Sequence, residues 1–156
     1  MAKFPTEVER SVTVKVPRAL AYAFLWDVVA SSSCIPGMER CKRAGKDTYC
    51  FEFKERSAGP ISLRVQYTAK YHGNGVDEID FESTSAKDDN TDVTGRIRFK
   101  AVGADSTRIV LWQRLAPDTP VPTLLQGFVR SSVEKEAGEA VRQYLAAVKK
   151  ELEAEA

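Results

Sequence analysis

The chain has little of the residue types that build metal sites and nucleophile–base pairs. Its 156 residues include one histidine, His72, and three cysteines, Cys34, Cys41 and Cys50, whose spacing matches no zinc-binding pattern. No Gly-x-Ser-x-Gly element and no glycine-rich phosphate loop occurs. The sequence therefore predicts no metal site and no bound cofactor, and it offers no candidate catalytic residue.

Long apolar runs and an excess of charge are also absent. No apolar segment approaches the ~20 residues that span a bilayer, and residues 1–5 lack the apolar core of a secretory signal. The 23 basic and 22 acidic residues give a formal net charge of +1, which provides no overall attraction to nucleic acid or to an anionic membrane. We expect a cytoplasmic protein with no integral membrane segment and no nucleic-acid partner.

Two of the cysteines flank a predicted hairpin turn at Gly45 and Lys46. Cys41 and Cys50 are expected to face each other if the two strands pair about this turn. Such a pair is able to form a disulfide, but a reducing cytoplasm favours two free thiols.

Alternation of apolar and polar residues predicts an antiparallel sheet with one buried face and one wet face. The strands are predicted at 12–16, 39–44, 48–56, 60–71, 76–84, 93–102 and 108–115. The outer face of 76–84 is acidic and those of its neighbours are basic. If consecutive strands pair, these charges attract across the sheet by roughly 0.2–1 kcal/mol per pair.

Two helical regions frame the predicted sheet. Residues 18–29 follow Pro17, contain no glycine and predict a short helix that ends at serines 31–33, before an Ile-Pro-Gly turn at 35–37. The last forty residues predict a long helix that starts at Thr119 and Pro120 and crosses the sheet. Its apolar stripe consists of Ala137, Ala140, Val141, Tyr144, Val148 and Leu152.

The beginning of the long helix does not fit its later part. At 100° per residue, Arg130 falls on the apolar stripe. The residues that point to nearly the opposite side are Leu124, Leu125, Phe128 and Val129. Three interpretations follow: the helix bends near Gly127, these residues cover a cavity mouth or contact a partner subunit, or they form a frayed first turn packed on a loop.

The order of strand, two short helices, six strands and long helix resembles the helix-grip arrangement. The residues that carry this resemblance are 14–17 (Val-Lys-Val-Pro), Asp27, 34–39 (Cys-Ile-Pro-Gly-Met-Glu), 45–49 (Gly-Lys-Asp-Thr-Tyr), 59–61 (Gly-Pro-Ile) and 106–109 (Ser-Thr-Arg-Ile). Together they resemble the START-like superfamily of polyketide cyclase/dehydrase and lipid-transport proteins (SRPBCC), and within it the carbon monoxide dehydrogenase G-subunit family. The resemblance runs over nearly the whole chain, and its motifs are short.

The resemblance implies a single α+β domain, residues 1–156, with a seven-stranded curved antiparallel sheet, two short helices and a long C-terminal helix. Some relatives of the G-subunit kind carry a C-terminal membrane extension, and the residues up to Ala156 lead us to expect none here. The tryptophan and acidic cluster of the chaperone-activator branch is also missing, which disfavours that branch.

The same resemblance implies a cavity between sheet and long helix for a lipid, isoprenoid, hormone-like or polyketide ligand. Pockets of this kind have apolar walls with few polar groups. The expected wall is Phe51, Phe53, Leu63, Val65, Tyr67, Phe81, Ile97, Phe99 and Leu111. The expected polar contacts are Tyr22, Tyr49, Tyr67 and Gln113, and Leu124 and Phe128 are expected to bind ligand near the mouth. The alternative is that these side chains only fill the core.

Three functions fit this sequence. The first is binding or transport of a hydrophobic or amphipathic small molecule, without catalysis. The second is a polyketide cyclase or dehydratase, which needs a shaped site and a few hydroxyl groups to bring reacting carbons together. The third is an accessory subunit, or a homodimer, that docks through Leu124, Leu125 and Phe128, with Trp112 as a further candidate.

Overall fold

The computed structural model describes residues 2–58 and 60–155. Its strands are β1 (Ala2–Lys3), β2 (Thr6–Val14), β3 (Met38–Gly45), β4 (Thr48–Phe53), β5 (Arg56–Ala58), β6 (Ile61–Leu63), β7 (Gln66–Gly73), β8 (Glu78–Ser83), β9 (Thr91–Gly103) and β10 (Ser106–Thr119). Its helices are α1 (Arg18–Trp26), α2 (Val28–Ser31) and α3 (Gln126–Glu155), with short 3₁₀ turns at Ser32–Cys34 and Thr123–Leu125. Gly59, part of one family-like motif, lies outside the described residues.

The main sheet is antiparallel throughout, in the order β2, β10, β9, β8, β7, β4, β3. β1 continues β2 along the same edge of β10 in one register, since Ala2 lies opposite Thr119 and Thr6 opposite Leu115. The sheet is therefore seven strands wide, with α3 against one face. This confirms the predicted α+β helix-grip fold, with its two short helices and long C-terminal helix.

The predicted charge pairing across the wet face is confirmed. Asp80 lies opposite Arg96, and Glu78 opposite Arg98. Arg96 Nε is 2.8 Å from Asp80 Oδ1 and 3.4 Å from Glu78 Oε1. These ion pairs involve Arg96 and Arg98, two of the basic side chains of β9.

The first strand was predicted too short. It begins at Thr6 rather than at residue 12. Residues 7–11 belong to an edge strand, and most of their side chains are exposed to solvent. A charged edge strand lacks the alternation that marks a half-buried one.

The predicted strands 48–56 and 60–71 were each wrong as single strands. Both break, and their inner ends form a separate ribbon, β5–β6, that stands apart from the main sheet. Asn90 fixes one break: its Nδ2 donates to Arg64 O, and its Oδ1 accepts from Gln66 N at 3.0 Å. A side chain more than twenty residues away thus replaces the ladder bonds at this point.

Alternation along the predicted strand 60–71 places Thr68 on the wet face, but Thr68 is buried. The segment after β8 folds back over it, since Thr84 N donates to Thr68 O at 2.9 Å and Thr68 Oγ1 to Asp89 Oδ1 at 3.4 Å. The wet face of β7 is therefore covered at this residue.

The predicted start of the long helix was also wrong. Thr119 ends β10, where Ala2 pairs with it, and α3 begins only at Gln126. Val129 is buried with Phe4 and Val133 in a small second core, so the first turns of α3 pack against a different surface from its later stripe. Arg130 lies over the Phe4 ring, 5.7 Å from its centroid.

Cys41 and Cys50 do not face each other across the hairpin. Cys41 is opposite Phe51, on the buried face, whereas Cys50 is opposite Lys42, on the other face of the sheet. All three cysteines are free thiols. Within the described residues no helix combines the length and apolarity needed to cross a membrane.

Gly95 permits a close approach between β9 and the ring of Phe81. A Cβ built at Gly95 lies 2.1 Å from Phe81 Cζ, and that ring is buried. We predict that Gly95→Ala destabilises the protein by about 1–3 kcal/mol, because the ring must move within a packed core. Urea unfolding measures the change.

Gly138→Ala is the matched control for this substitution. A Cβ at Gly138 meets only Arg10 Nη2, at 3.6 Å, and the residue lies inside α3, where alanine is favoured over glycine by about 0.5–1 kcal/mol. The control is expected to stabilise. Equal effects of the two substitutions on the free energy of unfolding contradict the close-contact explanation.

Candidate functional site

A cavity of about 180 Å³ lies between the inner face of the sheet and α3. This is more than the ~150 Å³ that holds a benzene molecule in an engineered protein core. Its apolar wall is Leu25, Val28, Ile35, Pro36, Phe51, Phe53, Leu63, Val65, Phe81, Ile97, Leu111, Leu115, Pro117, Val133, Ala137, Ala140 and Val141. Its polar lining is Ser31, Ser32, Lys54, Arg56, Tyr67, Tyr71, Gln113, Glu136 and Tyr144.

α3 presents two small side chains to the cavity, beside the larger Val133, Val141 and Tyr144. The two small residues are Ala137 and Ala140. One to three turns later the helix presents Leu145, Val148 and Leu152, which are all buried in the main core. The C-terminal half of α3 therefore packs tightly and holds the helix in place above the space that the alanines leave open.

Most of the predicted ligand-binding residues lie on the cavity wall. They are Phe51, Phe53, Val65, Tyr67, Phe81, Ile97, Leu111 and Gln113, together with the wall residue Leu63. Five predicted residues lie elsewhere: Tyr22, Tyr49, Phe99, Leu124 and Phe128. A role in ligand binding remains a prediction for the first group.

Tyr22 holds a loop instead of facing the cavity. Its hydroxyl accepts a hydrogen bond from Gly75 N at 2.9 Å and donates to Glu78 O at 3.3 Å, which fixes the turn between β7 and β8. Phe99 packs against the Tyr22 ring at 5.2 Å between centroids. Tyr49 meets Tyr71 edge to face at 5.7 Å, beside the wall rather than on it. None of these three residues lines the cavity, and each contacts other side chains or the backbone instead.

Leu124 and Phe128 are exposed at 96% and 53% and do not line the cavity. Their predicted position near the mouth of the cavity, and their predicted contact with a ligand there, stay predictions. Their role as a docking surface for a partner or a second copy stays a prediction. Trp112 is held by its neighbour strand, where its Nε1 donates to Glu7 Oε1.

Stacked rings make the wall on β4, β7 and β8 rigid. Phe51 and Tyr67 stack at 4.9 Å between centroids, and Tyr71 and Phe81 at 5.2 Å. Rings in such contact gain roughly 0.5–1.5 kcal/mol beyond the area they bury. The stacking fixes the planes of both tyrosines and therefore the direction of their hydroxyl groups.

Sequence reasoning missed seven of the nine polar residues of the cavity lining, among them the tyrosines Tyr71 and Tyr144. Burial raises the pKa of the Tyr67, Tyr71 and Tyr144 phenols, and for Tyr71 the nearby Tyr67 and Tyr144 raise it further. All three therefore stay protonated at neutral pH and act as hydrogen-bond donors. The available signal was a tyrosine on each predicted apolar face, which a polar-tipped residue seldom occupies without a partner.

The mouth of the cavity is marked by charged side chains on the ribbon β5–β6 and on α3. Arg56 Nη1 is 2.8 Å from Glu136 Oε2, both side chains are 45% exposed, and both line the cavity. Lys54 is the third charged residue of the lining, and it too is exposed. An ion pair between ribbon and helix thus spans the opening.

Gln113 faces the cavity from β10, as predicted. Its side-chain amide has no hydrogen-bond partner among residues 2–58 and 60–155, although it lies in a largely apolar wall. An amide in this position offers a ligand both a donor and an acceptor.

Comparison with known proteins establishes the fold. No protein-family model matches the chain, and no curated protein matches it in sequence. Among solved structures, a START superfamily protein from Mycobacterium smegmatis matches with a TM-score of 0.72 and 15% identity, over 96% of this chain and 99% of that one. A protein from Thermus thermophilus matches with a TM-score of 0.69 and 19% identity, over 96% and 99%.

The Zhui aromatase/cyclase from Streptomyces sp. R1128 is a third similar structure. Its TM-score is 0.67 at 18% identity, over 96% of this chain and 94% of that chain. At such identities the likeness concerns the fold, and the narrower resemblance to the carbon monoxide dehydrogenase G-subunit family is not confirmed. The chain therefore has the helix-grip fold seen in START superfamily proteins.

Proposed function

We propose that the protein binds or transports a hydrophobic or amphipathic small molecule in the cavity between the sheet and α3. The observation that carries the proposal is the cavity itself: about 180 Å³ of space, walled by aliphatic and aromatic side chains, in a core that is otherwise packed. A void of this size costs stability, by ~24 cal/mol per Å³ in cavity-creating mutants. Binding an apolar molecule recovers the lost contacts.

The arrangement of polar groups suits a ligand with one polar part. Among the described lining residues, the charged ones lie at the mouth, whereas the polar groups farther inside, such as Tyr67 and Gln113, are neutral side chains. A ligand that leaves its most polar end in water and places its apolar body inside matches this distribution. We place such a carrier in the cytoplasm, in keeping with its free thiols.

A polyketide cyclase or dehydratase is the second candidate. The likeness to an aromatase/cyclase from Streptomyces sp. R1128 favours it, as do hydroxyl groups in a closed apolar site. Positioning by such groups is able to accelerate a ring closure without a strong base. Turnover of an unstable linear polyketide would support this function over simple binding.

Filling the cavity is expected to weaken the binding of an apolar probe. Fluorene, a three-ring hydrocarbon with intrinsic fluorescence, is a suitable probe because its body is apolar and rigid. Ala140 faces the cavity, so Ala140→Phe is expected to weaken fluorene binding by about tenfold or more, since overpacking costs about 1–3 kcal/mol. Fluorescence titration measures the dissociation constant.

Ala146→Phe is the matched control on the same helix. Ala146 is exposed and does not line the cavity, so this variant is expected to bind fluorene like the unmodified protein. Retention of full affinity by Ala140→Phe, or failure of the unmodified protein to bind fluorene, contradicts the proposed function.

Breaking the ion pair at the mouth is expected to speed exchange of the probe. An exposed pair is worth about 0.2–1 kcal/mol, so Glu136→Gln is expected to raise the rates of association and dissociation by up to about fivefold, with little change in their ratio. Glu134→Gln, at an exposed residue that is not part of the lining, is the control. Stopped-flow fluorescence compares the two, and identical rates mean that the pair does not control entry.

A further inference from the structure

Three phenol groups in the cavity lack hydrogen-bond partners within the part of the chain that the structure describes. The hydroxyls of Tyr67, Tyr71 and Tyr144 make no hydrogen bond with any described part of the protein, and none of the three oxygens is sealed from open space. Tyr67 is buried, with 6% of its surface exposed, whereas Tyr71 and Tyr144 are partly exposed. Buried polar groups are almost always hydrogen-bonded in native proteins.

The other hydroxyl groups of the lining differ in this respect. Ser31 Oγ donates to Val28 O at 3.5 Å, and Ser32 Oγ donates to Val29 O at 2.6 Å, so both are occupied within α2 and the turn that follows. Among the described lining residues, the polar side chains without a partner are the three tyrosine hydroxyls, the Gln113 amide and the exposed Lys54 ammonium group.

The backbone holds two of the phenols on the same side of the sheet. Tyr67 and Tyr71 are four residues apart on β7, so both face the cavity, with the small Ala69 between them. Their planes are fixed by stacking on Phe51 and Phe81. Tyr144 approaches from α3 on the opposite wall.

We propose that Tyr67, Tyr71 and Tyr144 form a donor site that binds a neutral carbonyl oxygen of the ligand, such as that of a ketone, quinone or lactone. This rests on the proposed function. All three phenols line the cavity as hydrogen-bond donors, and a carbonyl oxygen with two lone pairs accepts from up to two of them. The phenols keep their protons at neutral pH, as burial dictates.

A neutral oxygen fits this site better than an anionic one. The cationic side chains of the lining, Lys54 and Arg56, are exposed at the mouth, and Arg56 is already paired with Glu136. A carboxylate inside an apolar cavity without a cation is strongly disfavoured. The ligand therefore places its carbonyl among the phenols and any charged group near the mouth.

Three probes with one ring system separate these cases: fluorene has no acceptor, 9-fluorenone has a neutral carbonyl, and 9-fluorenecarboxylate is an anion. We expect 9-fluorenone to bind with its infrared carbonyl band shifted to lower frequency, as in a hydrogen-bonded ketone. Tyr71→Phe and Tyr144→Phe are each expected to weaken the binding of 9-fluorenone by roughly two- to tenfold, which is the effect of losing one net hydrogen bond. Fluorene binding is expected to stay equal or improve, and the carboxylate to bind more weakly than the ketone.

Tyr49→Phe is the matched control, since this tyrosine contacts Tyr71 but does not line the cavity. It is expected to change neither affinity nor carbonyl band. If 9-fluorenone and fluorene both bind but respond equally to Tyr71→Phe and Tyr144→Phe, the donor site is wrong and the cavity proposal stands. If neither probe binds the unmodified protein, the proposed function fails and the donor site with it.

Discussion

A difference in side-chain size between the two surfaces of the core is the constraint on which this structure depends. β4, β7 and β8 present aromatic rings, and α3 presents Ala137 and Ala140 where it passes over them. The rings cannot collapse into the gap, because they are stacked on one another. The helix cannot approach, because Leu145 and Val148 are already packed farther along it. The space is therefore a built feature of the fold rather than a local packing defect.

Much of the sheet was predictable because the backbone of a β-strand points successive side chains to opposite faces. Ile79, Phe81 and Ile97 were predicted to face inward and are buried. The opposite charges on the wet faces of β8 and β9 also predicted that these two strands pair, and they do. Both predictions use only neighbours in one strand or across one ladder, which is the range over which a single sequence carries information.

Several of the errors have a different origin, since they depend on residues far away in the sequence. The break between β6 and β7 is stabilised by Asn90, and the end of β10 by its pairing with Ala2. The same holds for the site. Phe99 faces inward as predicted, but it meets Tyr22 rather than open space. Whether an inward side chain lines a cavity depends on what the opposite surface places there, and no strand pattern contains that information.

The choice of tyrosine for the inside of the cavity follows from the cost of polarity in an apolar space. A lysine or glutamate there loses most of its hydration, which costs far more than the ~1–3 kcal/mol of an unpartnered neutral group. A phenol adds a donor at the tip of a ring that already packs in the wall, as Tyr67 does on Phe51. Phenylalanine at the same positions would supply the ring without the donor. The three tyrosines, whose hydroxyls have no partners in the described part of the chain, are therefore the groups on which the proposed carbonyl site depends.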